Sequence, residues 1–126
     1  MKPVVVMLVA VALGAAASAA AAPRLRPIMQ DWKAQANRAQ SMLSGAIPYD
    51  QVAFREILTT MTGDARDVEA GIKGASAQAV DAKDRFSKFE ADASATLQAS
   101  ATRDAAGKRF QQVVADCRSC HDALRN

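Results

Sequence analysis

The sequence predicts an all-α protein, an antiparallel up-down-up-down four-helix bundle, on three observations. The chain is half hydrophobic and rich in alanine, and it has few runs of β-branched residues. Glycine and proline break it at intervals suited to helices, not strands. Between those breaks, apolar residues recur at spacings of three and four, and the connections are short enough to fold each helix back on the last.

The first 22 residues stand apart from this pattern. Lys2 gives a positive start, residues 4–17 form an apolar run, and Ala17-Ser18-Ala19-Ala20-Ala21-Ala22 offers several small-residue cleavage sites. Together these predict a secretory signal peptide over residues 1–22, cut between Ala19 and Ala22, followed by one domain over residues 23–126. An uncleaved membrane anchor is the alternative, since residues 4–22 are just long enough to span a bilayer. The alanine-rich second half and its cleavage-type end favour removal, so no stable membrane anchor is expected. No cysteine follows the leader to accept a lipid. The expected location is periplasmic, in a bacterium. The net charge of +3 falls to only +2 without Lys2, so no nucleic-acid partner is expected.

The first helix is expected over residues 27–44. Pro27 suits the first helical position, Ile28, Met29, Trp32, Ala36, Ala39 and Leu43 form one stripe, and Gly45 and Pro48 stop it. The second begins at Asp50 as N-cap and carries Phe54, Ile57, Leu58, Met61, Ala65, Val68 and Ile72 on one face. Gly63 interrupts this stripe, a local cost of about 1 kcal/mol that close helix packing would offset. Residues 71–78 read as a loop. The third helix is expected over residues 80–99, with Phe86, Phe89, Ala93 and Leu97 inward. Ser100 or Thr102 caps the fourth, whose stripe of Ala106, Phe110, Val113, Val114, Cys117, Cys120 and Leu124 runs to the end of the chain.

That last stripe carries the chemistry. The chain has two cysteines and one histidine, all within Cys117-Arg118-Ser119-Cys120-His121. This is the C-x-x-C-H order of covalent haem attachment. On a helix, residues three and four apart are rotated by about 60° and 40° in opposite senses, so both thiols and the imidazole share a face. Two thiols can then meet the two vinyl groups of one macrocycle while the imidazole meets its iron. The rival readings are weaker. A thioredoxin-type dithiol sits at a helix N-terminus in a βαβ unit, whereas here the helix runs into the cysteines. A disulfide between cysteines three apart closes a very small loop and gains little, and tetrahedral zinc lacks a fourth Cys or His. One covalent haem c, with His121 as proximal ligand, is therefore the expected cofactor.

The bundle topology then selects the other side of the site. The start of the first helix, the end of the second, the start of the third and the end of the fourth meet at one end. Met29 lies at that end, whereas Met42 is roughly 20 Å further along the same helix and Met61 sits mid-helix. Those two read as core filler. A thioether is an established second axial ligand that raises the reduction potential, yet the residues alone leave Met29 open as ligand or as core. Trp32 and Phe86 are expected to pack on the macrocycle. Of the four arginines near this end, Arg24, Arg26, Arg118 and Arg125, the candidates for propionate contacts are Arg26 and Arg125.

Export leader, four amphipathic helices and a C-terminal motif Cys117-Arg118-Ser119-Cys120-His121-Asp122-Ala123-Leu124-Arg125 together resemble the cytochrome c′ family. The turn Gly45-Ala46-Ile47-Pro48-Tyr49-Asp50 is also similar to that family's first turn. The resemblance implies a four-helix bundle holding haem c, sometimes as a homodimer through the first two helices. Its high-spin members leave the distal position open and bind small gases, and its low-spin members fill it with a methionine early in the first helix. The spacing from Met29 to Pro48-Tyr49-Asp50 resembles the low-spin branch. The expected function is periplasmic electron transfer with redox partner proteins, through His121 and Met29. The alternatives are a gas-binding protein with an open distal site and, from a different class, an exported dithiol oxidoreductase using Cys117 and Cys120. Enzymatic catalysis is not expected, because the single histidine is already the proximal ligand and no distal acid–base pair accompanies Met29.

Overall fold

A computed structural model describes residues 25–124. The leader over residues 1–22, Arg24 and Arg125 lie outside the described residues. Four helices and no strand make up the fold among the described residues: α1 (Leu25–Ser44), α2 (Gln51–Gly71), α3 (Ala77–Gln98) and α4 (Arg103–Leu124). Each helix packs on its neighbours in a closed ring, α1 on α2, α2 on α3, α3 on α4 and α4 on α1, with no close backbone approach across the diagonals. This is the expected antiparallel bundle. The ring is tightest along α2–α3 and α3–α4, and α1 is held more lightly on both sides. None of the described helices is long and apolar enough to cross a membrane.

Helix α1 begins at Leu25, slightly ahead of Pro27, which sits in the first turn where its missing N–H loses no helical bond. It buries Trp32, Ala39 and Met42, and Ile28, Met29, Ala36 and Leu43 pack at the edge of the core. Gly45 ends the helix at φ +84°, a left-handed conformation that strains any side chain, and the Ile47 N–H returns to the Ser41 carbonyl at 3.2 Å. Helix α2 opens on Asp50, whose carboxylate accepts from the Ala53 N–H at 3.1 Å, as the sequence predicts. Gly63 is exposed and a Cβ there would meet nothing within 4 Å, so close helix packing is not its role.

The connection to α3 is shorter than residues 71–78. Helix α2 runs through Gly71, and α3 starts at Ala77 because the Ser76 side chain accepts from the Ala79 N–H and caps it. Val80 is therefore well inside the first turns of α3, on the solvent side with 48% of its surface exposed. Phe86, Phe89 and Ala93 point into the core as expected. Of the two proposed caps for α4, Thr102 serves, accepting from the Ala105 N–H at 3.2 Å. Ser100 is buried nearby in a polar network.

Two aromatic pairs cross the bundle on its diagonals. Trp32 of α1 stacks on Phe89 of α3, centroids 4.7 Å apart and planes 15° from parallel. Phe54 of α2 meets Phe110 of α4 edge-on, with centroids 5.9 Å apart. The second pair marks an end that closes itself. There Tyr49 tilts against Phe54 and its hydroxyl donates to the Ser100 carbonyl. Arg55 Nη1 donates to the Leu97 carbonyl and to Ser100 Oγ, both at 2.7 Å, tying α2 to the end of α3.

Candidate haem-binding site

At the other end the bundle leaves a cleft of about 320 Å³, counting its open mouth. Helix α1 contributes Met29 and Trp32, α3 contributes Arg85, Phe86 and Phe89, and α4 contributes Asp116, Cys117, Cys120 and His121. Both thiols, the imidazole and the thioether singled out in the sequence thus share one cleft with the two aromatic rings expected beside them. Helix α2 supports the cleft from behind: the Trp32 indole N–H donates to Asp64 Oδ2 at 3.0 Å, which fixes the ring against Phe89.

The C-x-x-C-H stretch is helical throughout, in the C-terminal part of α4. Cys117 and Cys120 are half-buried and unpaired, and His121 is exposed in the last turn. Burial pushes the Cys117 thiol up to about 11, with Asp116 adding to the shift, and burial also raises Cys120. A catalytic dithiol needs the reverse, a thiol lowered by a helix N-terminus or a nearby cation.

Over residues 23–125 the chain matches the family described as Cytochrome C′. It belongs to the cytochrome c′ family. No curated protein and no solved structure gives a match. Membership implies a covalently bound haem c with its iron, in a family suited to electron transfer or gas binding. The residues of this cytochrome fit that group. Two thiols and an imidazole lie on one helical face, the walls are aromatic, and a soft thioether from another helix reaches the same space.

Two side chains on the cleft wall escaped the sequence reading. Arg85 donates from Nε to Asp81 Oδ2 at 2.8 Å, and from Nη1 to Ser119 Oγ at 2.6 Å and the Ser119 carbonyl at 3.2 Å. It therefore clamps α3 to the residues between the two cysteines. Its signal was the run Asp81, Arg85, Phe89 at four-residue spacing, which puts the guanidinium on the edge of the inward face. Asp116 is only 8% exposed, and its Oδ1 accepts from Lys88 Nζ at 2.9 Å and Gln112 Nε2 at 3.3 Å. Its place three residues after Val113 and four before Cys120 was the signal, an acid on an apolar stripe. Burial holds the Asp116 carboxyl above the usual carboxylate range, and the nearby Asp92 adds to this.

The propionate candidates fare differently. Arg26 is exposed in the first turn of α1 and does not line the cleft. Arg125 lies outside the described residues. Arg118 is exposed. Among the described residues, the guanidinium at the cleft is that of Arg85.

Proposed function

We propose that this cytochrome is an exported, periplasmic electron carrier of the low-spin kind, exchanging single electrons with partner proteins and performing no substrate chemistry. When bound, the haem supplies a one-electron ferric/ferrous couple. Cys117 and Cys120 tether the macrocycle through thioethers. His121 and the Met29 thioether are the side chains that would hold its iron. Trp32, Phe86 and Phe89 give the ring an apolar seat that keeps water away and limits reorganisation between oxidation states. The export leader over residues 1–22 delivers the chain to a compartment where this attachment is made.

The observation that carries the reading is Met29 lining the same cleft as His121, from a different helix. An apolar side chain there would leave the distal position free for a gas. The Met29 thioether would fill it. Carbon monoxide binding to the ferrous protein tests this. Slow, weak binding in the wild type, accelerated at least about a hundredfold in Met29→Ala, is expected. Equally rapid binding in both contradicts the carrier reading and favours the open-site alternative.

A further inference from the structure

The one carboxylate on the cleft wall among the described residues has no place in ligation or attachment. Asp116 precedes Cys117 and is nine-tenths buried. One oxygen is served by Lys88 and Gln112, and the other, Oδ2, is buried without a hydrogen-bond partner. Lys88 is shared: its ammonium also bonds Asp92 Oδ2 at 2.7 Å. Two carboxylates thus divide the Lys88 ammonium, and Arg109 acts on Asp92 but not on Asp116. A buried oxygen without a donor carries the full cost of its desolvation, and that cost is largest for an anion.

Resting on the haem reading above, we propose that Asp116 is a redox-linked proton site, whose carboxylate takes up one proton from solvent as the iron gains one electron and returns it as the electron leaves. The balance is simple. Ferric protein with Asp116 as carboxylate, plus one electron from a partner protein and one proton from water, gives ferrous protein with Asp116 as carboxylic acid. No bond to the iron is made or broken. The driving force is electrostatic. An electron entering the cleft adds a negative charge beside a carboxylate that water screens poorly, which raises the carboxyl's affinity for a proton.

The groups facing Asp116 are few. From α3 they are Lys88 and Asp92, with Arg85 on the cleft wall and Asp84 beside Lys88 in the groove outside it. Arg85 is engaged by Asp81 and Ser119, and Arg109 of α4 acts on Asp92. On α4 itself are Gln112 and the cleft residues Cys117, Cys120 and His121. Helix α1 presents the uncharged Met29 and Trp32, and α2 adds no residue to the cleft. Burial and Asp92 already bias the carboxyl toward the proton, and Lys88 restrains it.

The test is the midpoint potential of the holoprotein as a function of pH, with the absorption spectrum at each point reporting haem attachment and ligation. The wild type is expected to show a potential that falls with rising pH between two inflexions, the lower belonging to the ferric and the higher to the ferrous protein. Asp116→Asn removes this component and leaves any propionate component in place. Lys88→Gln moves both inflexions to higher pH and Asp92→Asn moves both to lower pH, which tests the site in chains that keep Asp116. A redox infrared difference spectrum adds a direct readout: a carboxylic-acid carbonyl band appears on reduction and is missing in Asp116→Asn. Intact haem with the same pH profile in wild type and Asp116→Asn overturns the proposal alone. A chain that carries no covalent haem overturns the haem reading and the proposal with it.

Discussion

The two ends of this bundle are built from the same materials and finished differently. At one end Phe54 and Phe110 meet across the diagonal, and Tyr49, Arg55 and Ser100 satisfy one another and the end of α3. Protein atoms complete that end. At the other, Trp32 and Phe89 also meet across a diagonal, but the space beyond them is a cleft edged by sulfur, imidazole and an unpaired carboxylate oxygen. The difference is instructive. Apolar periodicity builds both ends, and what marks a binding end is the set of groups left without partners of their own.

The comparison is broken most forcefully at the closed end. Phe110→Ala removes a fully buried ring that nothing can replace, and a loss of about 3–5 kcal/mol is expected, equal with and without haem, in guanidinium unfolding. A loss that depended on haem would mean the two ends are not independent. At the cleft end the expected effect is smaller and depends on pH. In chain without haem, folded Cys117 keeps its proton up to about 11, while the unfolded thiol releases it near its ordinary value of 9.0. Below that range both states hold the proton and stability is unaffected. As pH rises through it the unfolded state is favoured, by about 2–3 kcal/mol by the top, and the effect then levels off. A Cys117→Ala chain, or holoprotein in which the thiol has become a thioether, should lack this alkaline loss in urea midpoints. Smallest is Gly63→Ala, away from both ends: a Cβ in open space on a helix should stabilise by about 0.5–1 kcal/mol, read as a raised Tm.

How far the sequence could be read follows from what each residue depends on. The stripes and the Asp50 cap are local, and they carried the helices, their order and, through the topology, Met29, Trp32 and Phe86 to the cleft that holds Cys117, Cys120 and His121. The start of α3 was misplaced because Gly71 and Gly74 dominate the local composition, whereas Ser76 alone decides where the helix begins. Gly63 was expected to permit a close approach that no neighbouring helix makes. Arg85 and Asp116 were hidden for a different reason. Each carries only a weak signal, a charge on or beside its helix's apolar stripe, and only the packing of α3 on α4 brings Arg85 to Ser119 and Lys88 to Asp116. Arg26 shows the converse: standing at the correct end of α1 does not decide which way a side chain faces.

The central claim is that the cleft end is completed by a haem held between His121 and Met29. The near-infrared spectrum of the ferric holoprotein tests it most directly, in wild type and in Met29→Ala. A methionine-to-iron charge-transfer band in the wild type, absent from the variant, is the predicted result. A wild type that is already five-coordinate and high-spin, with a spectrum unchanged by Met29→Ala, would contradict it.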